Sequence, residues 1–226
     1  LSNVSMKSLA VHIGSQLLEL SPYKSAYEKI AEMTRYLRST GHEISHLDLG
    51  GGLGIPYSDE SLADLNAYNQ IISETVGDLD CKLSIEPGRY LVGEAGILIT
   101  RVIYIKQGEQ KKFVIVDGAM NDLIRPTLYD GFHAIVPVTE KNLSFQKSLC
   151  DVVGPICESG DYFAKDRMLP EVSQNDLLAI TCSGAYGAVM ASNYNSRPLV
   201  PEVLVSNDVF SVIRERQNFE KIIQDE

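Results

Sequence analysis

Before residue 90 the chain alternates short apolar runs with amphipathic stretches, and each run ends in polar or glycine-rich residues. The first, residues 8–13 (SLAVHI), carries β-branched side chains and closes on His12, with Gly14 and Ser15 behind it. Residues 23–39 follow with Tyr27, Ile30, Ala31 and Leu37 close to a helical period. Pro22 suits a helical first turn, Ser21 is the expected N-cap, and Gly41 is the expected stop. Residues 46–49 (HLDL) form the next expected strand and run into Gly50-Gly51-Gly52-Leu53-Gly54. A second helix is expected over 61–76, and a third strand, 83–85, ends at Glu86-Pro87-Gly88-Arg89. Strand–helix–strand–helix–strand imposes parallel pairing through right-handed crossovers. Parallel strands bring their C-terminal ends to one rim, where the active sites of such architectures sit. His12, the glycine run and the Glu-Pro-Gly-Arg turn are therefore candidates for one site.

After residue 97 the pattern changes. Residues 97–105 (ILITRVIYI) and 112–116 (KFVIV) are strand-like and flank a turn at 107–110. Further strands are expected at 134–138, 150–153, 177–180 and 203–205, punctuated by Gly and Pro. Only 214–223 reads as helical in this half. The expected organisation is a partial α/β unit over residues 1–96 and an all-β domain over 97–226, with the boundary near Gly93 to Gly96.

Length and charge narrow the classes. A complete (β/α)8 barrel takes about 250 residues, so 226 residues do not hold one together with a second domain. A net charge of −10 disfavours wrapping nucleic acid or lying on anionic lipid, without excluding a local anion pocket. No apolar run approaches the ~18 residues of a membrane span, and no signal peptide opens the chain. Cys81, Cys150, Cys157 and Cys182 have no CxxC or metal-finger spacing, which reads as free thiols of a cytoplasmic protein and no metal.

The glycine run can bring backbone N–H groups close to an anion, or it can be a tight turn. It lacks the Lys-Ser/Thr of a phosphate loop and fits a dinucleotide fingerprint only in part. Arg89 offers a bidentate fork for phosphate or carboxylate at a second strand end. The β half adds Arg125-Pro126-Thr127-Leu128-Tyr129, a cation and a phenol. It also adds Cys157-Glu158-Ser159-Gly160-Asp161, a thiol beside two acids, and Gly184-Ala185-Tyr186-Gly187 around one aromatic. Each of these alone also reads as an ordinary loop.

Taken in order, these segments resemble fold type III pyridoxal-phosphate decarboxylases, and within them the diaminopimelate branch. The resemblance runs through His12-Ile13-Gly14-Ser15-Gln16, Leu47 to Gly54, Glu86 to Arg89, Val116-Asp117-Gly118-Ala119-Met120-Asn121, Arg125-Pro126, Cys157-Glu158-Ser159, Gly184-Ala185-Tyr186 and Met190 to Pro198. It implies the C-terminal part of an alanine-racemase-like (β/α)8 barrel followed by a Greek-key β-barrel domain. It also implies pyridoxal 5'-phosphate as cofactor. His12 would stack on the ring, and Glu86 would pair with the ring nitrogen. Ser15, Gly51, Gly52, Pro87, Gly88 and Arg89 would surround the phosphate. Arg125, Tyr129 and Arg89 would clamp the distal carboxylate of an amino-acid substrate, and Glu158 its distal ammonium. Tyr186 would lie near both cofactor and substrate, and Cys157 would return a proton to carbon. The implied reaction is decarboxylation of meso-2,6-diaminopimelate to L-lysine in a homodimer with shared active sites.

One part of the pattern has no counterpart. The resemblance calls for a Schiff-base lysine in a Tyr-Ala-x-Lys-Ala-Asn-like segment, and none of the eleven lysines has that context. Three barrel strands are expected where eight belong, so the chain reads as lacking the N-terminal half of the enzyme. Other readings are a relative acting on ornithine, arginine or carboxynorspermidine, and a non-catalytic homologue.

Overall fold

The computed structural model describes residues 3–224, and of these the side chains of 141 and 142 are left undescribed. The outermost residues of both expected ranges, 1–2 and 225–226, lie outside the described residues. The chain divides into two compact units, Leu1–Gly93 and Glu94–Glu226.

In the first unit, β1 (Ser8–Ala10), β2 (His46–Gly51) and β3 (Lys82–Glu86) form a sheet in that order. Both pairings are parallel, with Leu9 opposite Leu47 and Leu47 opposite Leu83. The crossovers are α1 (Ser21–Ser39) and α2 (Leu65–Val76), and β3 leads into the short α3 (Gly88–Val92). On α1, Tyr23, Tyr27, Ile30, Ala31 and Thr34 are buried, spacings that form one stripe of a 3.6-residue helix. The stripe packs with Leu47 and Leu49 of β2 and Tyr68 and Val76 of α2.

Two helix starts differ from expectation. Ser21 is already helical, Leu20 holds the N-cap position, and no side chain caps α1. Pro22 in the first turn accounts for the tolerance, since its missing N–H would have no intrahelical partner. The second helix begins at Leu65 rather than 61, because Asp64 caps it by accepting from Asn66 N at 2.8 Å. Gly41 ends α1 as expected, at φ +93° with its N–H on Arg38 O.

Three tyrosines support the C-terminal end of β2 from beneath. Tyr23 Oη donates to Gly51 O at 3.3 Å and Tyr27 Oη to Leu49 O at 3.2 Å. The Tyr27 and Tyr68 hydroxyls lie 2.7 Å apart, and the Tyr23 and Tyr68 rings meet edge to face. Burial, with the neighbouring Tyr68, pushes the Tyr23 hydroxyl up to about 12. Burial also raises Tyr27 and Tyr68. An acid held protonated by the fold contributes stability below its unfolded value of 10.0, and that contribution is lost as pH climbs toward 12. The unit should therefore lose thermal stability between pH 10 and 12, and Tyr23→Phe should flatten that loss, as melting followed by circular dichroism would record. An unchanged alkaline slope in Tyr23→Phe would count against this account.

The second unit is a six-stranded sheet in the order β6-β9-β4-β5-β7-β8. Its strands are β4 (Leu98–Gln107), β5 (Lys112–Val116), β6 (Ile135–Pro137), β7 (Lys147–Val153), β8 (Tyr162–Pro170) and β9 (Leu177–Ile180). Every pairing is antiparallel except β5 with β7. After β8, β9 returns to lie between β6 and β4, a long connection of Greek-key type. Val102, Val114, Val116, Val152, Phe163, Leu169, Leu178 and Ile180 form its core. A separate ribbon pairs β10 (Glu202–Ser206) with β11 (Val209–Arg214).

Three elements here correct the sequence reading. Strand β8 was not expected, because a bulge breaks its alternation. The register with β7 shifts beside Val152, and Asp166 takes φ +48° while its N–H bonds Asp151 Oδ1. The helix expected over 214–223 is instead the end of β11 followed by one turn, Phe219–Ile222, capped by Asn218. The β-branched run before Arg214 pairs through the tight turn at Asn207, and Arg214 bonds Glu202 of the opposite strand at 2.8 Å. Finally α4 (Arg125–Tyr129) is a helical turn within a half read as strands and loops.

Candidate functional site

The parallel register delivers the three motif-bearing strand ends of the first unit to one edge. Ala10 lies opposite Asp48 and Asp48 opposite Ser84, and Gly51 lies opposite Glu86. His12 follows β1, is exposed, and accepts through Nδ1 from Gly51 N at 3.4 Å, the long end of a hydrogen bond. Gln16 ties the two loops together, donating to Ile55 O at 2.5 Å and accepting from Ile55 N at 3.2 Å. Arg89, on α3, reaches back over this edge. Its Nη2 donates to Ser15 Oγ at 3.2 Å, its Nη1 donates to Tyr57 Oη, and its Cζ lies 5.7 Å from the Tyr57 ring centroid. Glu86 is exposed at the end of β3, with Pro87 between it and α3.

The packing of the backbone places its own demand on the glycine run. A Cβ on Gly50 would stand 2.1 Å from Val11 O, on Gly51 1.9 Å from Glu86 O, and on Gly52 2.2 Å from Gly14 O. Neighbouring backbone by itself demands glycine at 50–52. Gly50 and Gly52 also sit at φ +70° and +95°. By contrast, nothing lies within 4 Å of a Cβ built on Gly14 or Gly88. Open space thus lies beside Ser15 and Arg89, a hydroxyl and a guanidinium that already converge. Such a donor set, with room beside it, fits a phosphate group. Tyr57, which orients Arg89, was not singled out in the sequence. Its only sequence signal is its place just past Gly54-Ile55-Pro56.

In the second unit, Cys157 and Glu158 are exposed on the turn after β7, and Cys157 is a free thiol. Buried Asp161 builds this turn. Its Oδ2 accepts from Ile156 N at 2.6 Å and its Oδ1 from Met120 N at 2.7 Å. Gly154 N donates to Asp161 O, and Asp161 N donates to Glu158 O. Glu158 accepts from Gly160 N at 3.2 Å and from Tyr194 Oη at 3.4 Å. Thr127 Oγ1 of α4 donates to Gly160 O, joining the helix that carries Arg125 and Tyr129 to the loop that carries Glu158.

Arg125 is buried, and its Nη1 bonds His133 Nε2 at 2.7 Å. Tyr129, one turn later, is exposed. Tyr186 is 41% exposed and adopts φ +58°. A Cβ on the following Gly187 would meet Ser183 O at 2.3 Å. The segments around Asp117 and Arg197 form one scaffold behind the loop. Arg197 Nε donates to Asn121 Oδ1 at 2.9 Å and Nη2 donates to Asp117 O at 2.6 Å. Burial raises the Asp122 carboxyl, against the lowering pull of Ala119 N–H and Arg197. Sequence reasoning did not single out Asp161, Thr127, His133 or Tyr194 for a role.

A family model for the C-terminal sheet domain of pyridoxal-dependent decarboxylases matches residues 22–184. The chain belongs to the pyridoxal-dependent decarboxylase family. Its relatives include the diaminopimelate decarboxylase of Zymomonas mobilis, 46% identical over 99% of this chain and 53% of that protein. That of Neisseria meningitidis is 48% identical over 99% of this chain and 54% of its own length. Among solved structures, the Helicobacter pylori diaminopimelate decarboxylase complexed with L-lysine superposes with a TM-score of 0.92. The two are 44% identical over 97% of this chain and 54% of that one. The chain thus spans about half the length of the curated relatives it matches. No helix among the described residues is long and apolar enough to cross a membrane.

Proposed function

We propose that the chain forms part of an enzyme that decarboxylates meso-2,6-diaminopimelate to L-lysine with pyridoxal 5'-phosphate. The reading is carried by the joint mounting of Arg125 and Glu158. One hydrogen bond, Thr127 to Gly160, couples the helix of the cation to the loop of the acid. Diaminopimelate carries both a distal carboxylate and a distal ammonium, and these two groups answer them. Ornithine has no distal carboxylate and so offers nothing for a carboxylate-binding cation to recognise.

Ser15, Gly51, Gly52, Pro87, Gly88 and Arg89 hold the cofactor phosphate, and the converging Ser15 and Arg89 donors support this. His12 would hold the ring by its face, and the Glu86 carboxylate would keep a proton on the ring nitrogen. Pyridoxal phosphate, when bound, supplies the sink for the electron pair left by departing CO2. Arg125 and Tyr129 would orient the distal carboxylate, and Glu158 would accept from the distal ammonium. Tyr186 bounds the cofactor and substrate space. Cys157 Sγ gives its proton to the carbon that lost CO2. The exposed Cys157–Glu158 turn is presented to the cofactor of a second copy, so the active form is a homodimer.

The lysine that holds the cofactor covalently comes from a further barrel segment, the remaining partner in this proposal. Lys7, Lys24, Lys29 and Lys82 of the first unit stand before β1, on α1 and at the start of β3, and none is at the C-terminal end of a strand.

The test is CO2 release from meso-diaminopimelate, ornithine, arginine and carboxynorspermidine. It uses the longest natural polypeptide containing residues 1–226, supplied with pyridoxal phosphate. The expected preference for diaminopimelate is at least about 1,000-fold in kcat/KM. Comparable turnover of ornithine, or turnover of none of the four, rejects the proposal.

A further inference from the structure

We infer that His133 is a positioning residue for substrate carboxylate recognition, acting through Arg125; this deepens the proposed function and rests on Arg125 being the carboxylate clamp. The imidazole lies between two partners of fixed polarity. Arg125 Nη1, 2.7 Å from Nε2, can only donate, so Nε2 must accept. Thr181 O, 2.8 Å from Nδ1, can only accept, so Nδ1 carries the hydrogen. The partners thereby select the neutral ring with its proton on Nδ1.

The residue is fully buried, and its backbone is pinned as well. Arg167 Nη1 donates to His133 O at 2.7 Å, while the Arg167 guanidinium lies 4.0 Å over the neighbouring Phe132 ring. Thr181 N donates to Ala134 O where β9 meets β6. A relay therefore runs from the end of β9, through the ring, to the guanidinium on α4. Arginine is a long side chain, and ordering it costs rotamer entropy. An acceptor fixed by the sheet meets that cost before substrate arrives. Because the acceptor is neutral, it holds the guanidinium without cancelling the charge needed for a carboxylate. An aspartate at the same place would bind Arg125 more tightly and compete with the ligand.

The test uses two competitive inhibitors that differ only in the carboxylate: L-lysine and 1,5-diaminopentane. They are assayed against CO2 release by the longest natural polypeptide containing residues 1–226, as wild type, His133→Leu, His133→Gln and Arg125→Gln. His133→Leu should weaken L-lysine about tenfold and raise the diaminopimelate KM by a similar factor. It should change kcat and diaminopentane inhibition by less than about twofold. His133→Gln, which restores an acceptor, should recover most of the loss and also serves if the leucine variant misfolds. Unchanged L-lysine inhibition in His133→Leu overturns the inference, as does equal weakening of both inhibitors or no rescue by glutamine. If Arg125→Gln leaves L-lysine inhibition unchanged, the clamp reading itself fails.

Discussion

Cys157→Ala should retain the absorbance of bound cofactor and lose about 100- to 10,000-fold in turnover, the range of a positioned general acid. The structure separates this chemical effect from a structural one. The bonds that hold the turn run through Asp161, Glu158 and Gly160, and the thiol is an exposed passenger on it. Removing an exposed sulfur should therefore shift stability by no more than about 0.5 kcal/mol. Steady-state CO2 release, read beside cofactor absorbance and a melting curve, separates the two contributions. Cys157→Ser, with a far less acidic proton, should fall nearer alanine than wild type. Full turnover in Cys157→Ala would assign the proton to another group. A large drop in melting temperature would show that the side chain supports the loop after all.

The second large effect is expected at Asp161. Its carboxylate oxygens each serve a backbone N–H, one from Met120 and one from Ile156. Bonds to a charged acceptor contribute about 1.5–3 kcal/mol each, and an orphaned buried N–H costs about 1–3 kcal/mol more. Asp161→Ala should thus cost several kcal/mol and loosen the turn that presents Cys157 and Glu158. Asp161→Asn is the sharper probe. Its amide has one oxygen for two donors, so one N–H would face an NH2 group. It should lower the denaturation midpoint and, under folding conditions, reduce turnover through misplacement of the loop. The space around Asp161 leaves little room for compensation, since a Cβ on Gly154 would stand 2.3 Å from this carboxylate. An asparagine variant with wild-type midpoint and turnover would show that the loop holds itself by other means.

How far the sequence reached depended on the range of the interaction involved. The strand ends of the first unit were legible because their signals are local. A run of β-branched residues, a helical stripe such as Tyr27, Ile30 and Ala31, and a glycine stop at Gly41 each lie within one or two turns of chain. The cap at Asp64 was missed because several polar residues before α2 could have served, and only packing chose among them. Strand β8 was missed because its bulge at Asp166 answers a buried carboxylate, Asp151, on another strand. The expected C-terminal helix failed for a related reason, as pairing with β10 carries the strand through Arg214 and leaves helix only from Phe219.

The same division runs through the candidate site. By itself the sequence determined which chemical groups are present and in what order: His12, Ser15, Glu86, Arg89, Arg125, Cys157, Glu158 and Tyr186. It also determined that parallel connections would gather the first unit's motifs at one edge, because strand direction follows from alternation alone. Tertiary structure decided what those groups are fastened to. That Gly51 is glycine for the sake of Glu86 O could not be read along the chain. Nor could Thr127 reaching Gly160, Arg125 leaning on His133, or Asp161 closing the loop of Cys157. The physical reason is that a side-chain hydrogen bond is short and directional, while its two ends can lie anywhere in sequence. Only the folded backbone brings them within about 3 Å of each other.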